Sequence, residues 1–182
     1  MVNTIIDGKK IDNTSFSAIN VTEEFITSFG GEARLANITN FLQFLRDNNV
    51  AVKILSTSWF PITEPQWKNY LFNVTSKFGL GFQEDEILTI ADPGPGKSAC
   101  KGCIIQKDLN LDATQFSGET MFADDSWGNI NSARNIANTL WLKKRIGLED
   151  QDIDYIKASL KDGFDPLQMA KDVFGTVAGI FG

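Results

Sequence analysis

Histidine is absent from all 182 residues. That removes Ser-His triads, histidine-ligated zinc and imidazole acid-base chemistry, and leaves carboxylates, Lys, Ser/Thr and Cys as the only groups able to carry a reaction. Cysteine is scarce, with Cys100 and Cys103 forming a lone C-K-G-C. This spacing is open to three uses: a pair of small half-buried thiols, a redox or disulfide pair, or half of a zinc site whose other ligands would come from a partner chain. Dense Lys/Arg clusters are missing and the net charge is −6, which excludes a nucleic-acid binder, because phosphate neutralisation needs a basic surface. No run reaches the roughly 20 apolar residues of a membrane span, and no signal-peptide profile opens the chain. The expectation is a soluble, intracellular protein without a transmembrane segment. Asn-X-Ser/Thr triplets at Asn13, Asn20, Asn37 and Asn73 then reflect composition rather than glycosylation.

With 42% hydrophobic residues the chain can build one domain with a proper core. Residues 2–7 read as a strand closing on Asp7, and the polar stretch 8–17 suggests a turn or hairpin. A short helix is expected over 21–29, ended by Gly30-Gly31. A clearer one spans 32–49, where Leu35, Ile38, Phe41, Leu42 and Leu45 recur at helical spacing and Asn48-Asn49 signal a stop. The β-branched run 50–55 predicts a strand ending in Ser56, Thr57 and Ser58. Pro61 and Pro65 bracket the next helix start, with Trp67, Tyr70, Leu71 and Val74 on its apolar face. Strand 86–90, the Pro/Gly loop 92–96 and a helix over 97–105 carrying Lys97 and Lys101 follow.

Residues 119–133 hold the most informative stretch. Thr120 to Ala123 predict a buried strand, and Asp124-Asp125 fall at its carboxyl end, where open α/β sheets place their sites. Neighbouring residues on extended chain point to opposite faces, so one carboxylate can enter a crevice while the other braces a loop. The same DDS also fits the turn and N-cap of the helix expected over 130–137. A last strand, 139–142, precedes a helix over 149–160 with Ile153, Ile156 and Leu160 on one side. Strands alternating with helices predict an α/β fold with a mainly parallel sheet covered on both faces, and Asp7, Ser56 and Asp124-Asp125 on one edge. The organisation expected is an α/β domain over residues 1–147 and a helical extension over 148–182.

The ordered set of Lys53-Ile54-Leu55-Ser56, a helix-opening Lys97 or Lys101, and Phe122-Ala123-Asp124-Asp125 resembles the haloacid dehalogenase superfamily of phosphohydrolases. The resemblance covers roughly residues 2–142 and implies a Rossmann-like three-layer sandwich. It implies phosphate binding by Ser56, Thr57, Lys97 and Lys101, and a magnesium ion held by Asp7, Asp124 and Asp125. In such chemistry a carboxylate attacks phosphorus, a second acid two residues later shuttles the proton, and the cation screens two anions. The first motif departs from the family's Asp-X-Asp-X-Thr in every register. With Asp7 as nucleophile, Lys9 replaces the second acid; with Asp12 as the second acid, Lys10 replaces the nucleophile; a further slide puts Ile11 and Asn13 at the two positions. Nucleophile and base act as a unit, so losing one costs several orders of magnitude in rate.

The expectation is a catalytically inactive protein of this fold serving as a structural or binding subunit of a larger assembly. The alternative is a magnesium-dependent phosphatase or related hydrolase acting on a small phosphorylated substrate. Leu167, Ala170, Val173, Phe174, Val177 and Phe181 form an apolar stripe with little polar face, which suits docking to a protein partner or packing on its own domain. Peripheral membrane contact is the weaker use, since Lys171 is the one basic residue beyond Pro166.

Overall fold

The computed structural model describes residues 5–6, 9–10, 30–58, 62–94, 99–142 and 147–162. The chain divides into two compact units, Met1–Ala99 and Cys100–Gly182. Both are mixed α/β.

In the first unit, β1 (Ile5–Ile6) pairs antiparallel with β2 (Lys9–Lys10), Ile5 opposite Lys10 and Ile6 opposite Lys9. Ile5–Ile6 takes an antiparallel partner where the α/β alternation predicts a parallel one; of the turn or hairpin expected over 8–17, residues 9–10 alone are described. Asp7, Asp12 and the helix expected over 21–29 lie outside the described residues.

Helix α1 (Gly31–Asp47) follows Gly30. Gly30 and Gly31 have φ of 97° and 83°, left-handed values that favour glycine, so this pair opens a helix. The stop is as expected: Asn49 adopts φ 58°, and the Asn48 side-chain amide donates to the Phe44 carbonyl at 2.8 Å.

Strand β3 (Ile54–Thr57), helix α2 (Glu64–Lys77) and strand β4 (Ile87–Ile90) follow. They form a parallel β-α-β unit, with Ile54 opposite Ile87 and Thr57 opposite Ile90. Strand β3 begins four residues later than the β-branched run suggests, because pairing with β4 selects the segment that carries Ser56 and Thr57. At the start of α2, Gln66 Oε1 accepts the Thr63 backbone N–H at 3.1 Å, the reciprocal half of a capping box, and Pro65 occupies the first turn. The apolar face read from sequence is the buried one. Tyr70 and Val74 pack with Ile62, Trp67, Leu71 and Phe78. A second cluster joins Leu42, Phe82 and Ile87 to Ile38, Val52, Ile54, Leu71, Phe72 and Leu80, so α1 and α2 cover this strand pair.

The second unit contains α3 (Lys101–Asp108), β5 (Ser117–Asp124), α4 (Trp127–Ala133), β6 (Ala137–Trp141) and α5 (Asp150–Asp162). Strands β5 and β6 are parallel, with Phe122 opposite Thr139 and Asp124 opposite Trp141. Helix α4 sits earlier than the 130–137 expected, because its first turn is organised by Asp124, as set out below. On α5, Ile153 is buried, but Leu160 is 40% exposed and Ser159 takes the inward place. Ser159 tolerates this position by donating its hydroxyl to the Tyr155 carbonyl at 2.9 Å.

Among the described residues the strands form three two-stranded pairs, one antiparallel and two parallel. Alternation of elements announces parallel crossovers; it does not determine which strands hydrogen-bond to which. The apolar stripe of residues 166–181 lies outside the described residues, and none of the described helices is long and apolar enough to cross a membrane.

Candidate functional site

Strand β5 ends as an acid pair should, with consecutive side chains diverging. Asp124 is buried and Asp125 is exposed. The backbone carbonyl of Asp125 accepts the Trp141 indole N–H at 3.2 Å, and the Trp141 ring leans on Trp127 with centroids 5.2 Å apart.

The carboxylate of Asp124 is engaged at both oxygens. Oδ2 receives the Lys101 ammonium at 2.7 Å. Oδ1 accepts the Ser126 backbone N–H at 2.8 Å and the Asn129 side-chain amide at 2.9 Å. The last two bonds make Asp124 the brace of the α4 N-terminus, where a negative charge is favourable. Lys101 is itself buried, with its Nζ 5.9 Å from the centroid of the Phe122 ring. Two opposite charges taken out of water together are tolerable only with such geometry and additional hydrogen bonds, and here the carboxylate has both.

Helix α3 reaches this position through a close backbone approach. A Cβ on Gly102 would collide with the Ser132 carbonyl oxygen and lie 2.6 Å from its carbonyl carbon, so glycine lets α3 rest against α4. The Gly102 N–H donates to Ser132 Oγ at 3.1 Å, and that hydroxyl donates to the Asn129 carbonyl at 2.7 Å. Residues 101 and 102 are thereby fixed to β5 and α4, one by side chain and one by backbone.

The cysteines flank that pair and form a disulfide, which resolves the three uses left open by their spacing. Cys100 is the N-cap of α3, half-buried, and its sulfur accepts the Cys103 N–H at 3.2 Å; Cys103 is exposed. Cross-linking so short a ring removes little chain entropy, about 2 kcal/mol on the loop-closure account.

In the first unit, Ser56 is occupied by a structural bond, its Oγ accepting the Trp67 indole N–H at 2.9 Å. Thr57 is the last residue of β3. The innermost hydroxyl is Ser58, 1% exposed, whose Oγ donates to the Ile90 carbonyl at 3.3 Å and accepts the Asp92 N–H at 3.3 Å. The triple hydroxyl run in the sequence contains this residue, but only pairing with β4 separates its role from those of Ser56 and Thr57.

Of the residues singled out by sequence, the structure brings Lys101 and Asp124 together. It leaves Asp125 exposed beside them, and Lys97, like Asp7 and Asp12, is outside the described residues. Ser126 is the N-cap of α4, as the DDS turn and N-cap reading has it; Asn129 and Ser132 escaped the sequence reading, because polar residues at a helix start look like a solvated face until the acid they serve is located. Among the described residues no three acidic or cysteine side chains gather as a metal-binding group. Comparison with protein-family models, curated proteins and solved structures found no match.

Proposed function

We propose that this chain is a haloacid-dehalogenase-like protein, with a Rossmann-like three-layer arrangement, that has exchanged phosphatase chemistry for a structural or binding role in a larger assembly. The observation supporting this reading is the state of Asp124. The residue the resemblance casts as a magnesium ligand has an ammonium on one oxygen and two N–H donors on the other, all from its own chain. A divalent cation approaching Oδ2 meets a fixed positive charge at that atom, and a cation approaching Oδ1 competes with the bonds that start α4. The broken first motif points the same way, since no register of residues 7–13 supplies both acids. Partner binding is assigned to the apolar stripe of residues 166–181, on the strength of its sequence pattern.

A second reading, a magnesium-dependent phosphatase using Asp7 with Ser56, Thr57, Lys97 or Lys101, Asp124 and Asp125, draws support from one contact. The Lys that opens a helix meets the acid that ends a strand, although 23 residues separate them. The discriminating experiment assays the purified chain with p-nitrophenyl phosphate and magnesium, alongside thermal unfolding with and without the metal. The expected result is no turnover and no magnesium-dependent rise in Tm, since a ligand of the folded state must stabilise it. Magnesium-dependent turnover abolished by Asp7→Asn overturns the proposal.

A further inference from the structure

We infer that Cys100–Cys103 is a reversible redox couple that exchanges with dithiols, independent of any phosphate chemistry. Three features of the C-K-G-C segment support this. The bond is accessible at one end and shielded at the other, Cys103 being exposed and Cys100 half-buried, so an incoming thiolate meets Cys103 Sγ first. The sulfur that must leave is placed to accept charge: Cys100 is the N-cap of an eight-residue helix and already accepts the Cys103 N–H at 3.2 Å. The two residues between the cysteines are held by other means, Lys101 by Asp124 at 2.7 Å and Gly102 by Ser132 at 3.1 Å. The backbone that carries both sulfurs therefore stays in place when the bond opens. A cross-link needed for structure would hold together parts that nothing else joins; this one closes a single helical turn that is already anchored.

The exchange balances with a dithiol as electron donor. One donor thiolate attacks Cys103 Sγ, forming a donor–Cys103 disulfide while the Cys100–Cys103 bond breaks and its electron pair leaves on Cys100 as thiolate. The donor's second thiolate then attacks the donor sulfur of the mixed disulfide and expels Cys103 as thiolate. The donor leaves as a disulfide, the protein gains two electrons, and both of its thiolates equilibrate with solvent protons.

The test equilibrates the full chain with graded reduced-to-oxidised glutathione and dithiothreitol mixtures, quenches in acid, alkylates free thiols with a maleimide and determines the mass. The expected result is one two-electron transition, from no alkylated thiol to two, inside the range of glutathione ratios. Native near-UV circular dichroism should be retained in the reduced form. A bond that stays closed at every glutathione ratio, one that never forms under oxidising conditions, or a reduced form that unfolds overturns the inference. The point of entry is tested on the oxidised chain: brief exposure to reduced glutathione, acid quench and maleimide alkylation, read by peptide mass, should place glutathione on Cys103 and the maleimide on Cys100 in about tenfold or greater excess over the reverse. Equal or reversed labelling overturns the assignment of Cys103 as the attacked sulfur.

Discussion

The Lys101–Asp124 pair makes an unusual prediction, that a second mutation should rescue the first. Asp124→Asn keeps the shape and removes the charge, but no orientation of the new amide satisfies its neighbours. With its oxygen toward Ser126 and Asn129, its NH2 faces the Lys101 ammonium; turned over, the NH2 faces the Ser126 N–H and the Asn129 amide. The gross attraction being lost, two unit charges 2.7 Å apart, is about 6 kcal/mol at an effective dielectric near 20, and most of it offsets desolvation. Stranding one buried partner costs about 3–5 kcal/mol, which for a chain of this length lowers Tm by roughly 10 °C. Lys101→Met should cost less, about 1–3 kcal/mol, because the carboxylate keeps two donors while an unbranched apolar side chain fills the place beside Phe122. In the double variant the Asn oxygen turns to Ser126 and Asn129 and its NH2 no longer meets a cation. The double variant should therefore be more stable than Asp124→Asn alone, which requires a coupling larger than the Lys101→Met loss, about 3 kcal/mol. Urea unfolding followed by tryptophan fluorescence measures all four corners of the cycle. A double variant no more stable than Asp124→Asn, a larger loss for Lys101→Met than for Asp124→Asn, or losses below about 1 kcal/mol for both singles would refute the reasoning.

Two further outcomes follow from the same physical arguments. Gly102→Ala should destabilise the second unit by about 1–3 kcal/mol, because α3 must back away from the Ser132 carbonyl, and the loss should persist when the disulfide is reduced; denaturant midpoints with and without a reductant check this. Burial pushes the Tyr70 phenol up to about 12 from 10.0. Between those values the unfolded chain releases this proton more readily than the folded one, so stability falls as pH rises, by up to about 1.4 kcal/mol per pH unit. Tyr70→Phe should remove that contribution, read as a shallower decline of denaturant midpoints from about pH 10 to pH 12.

The amino-acid sequence by itself determined the local elements whose cause is local. The periodic apolar face of α1, its asparagine stop, the proline-marked start of α2 with Trp67, Tyr70, Leu71 and Val74 inward, and the divergence of Asp124 from Asp125 all arise within a few residues, from backbone geometry and side-chain spacing. The parallel sense of β3 with β4 and of β5 with β6 was legible too, since a short helix between two strands demands it.

Tertiary structure alone decided the rest, because each remaining question concerned a partner distant along the chain. Strand pairing selected Ile54–Thr57 over residues 50–53 of the β-branched run and put Ser58, rather than Ser56, at the innermost position. The close approach of α3 to α4 explains why glycine stands at position 102, and it brings Lys101 to an acid 23 residues away. The acid pair read from sequence as a place for a cation is, at Asp124, already satisfied by this chain's own donors. Spacing left three uses open for the cysteines, and the first turn of α3 brings their sulfurs into bonding range. Sequence spacing names the groups able to meet; packing decides which of them do, since a buried charge or donor takes whatever complementary group the fold brings within reach.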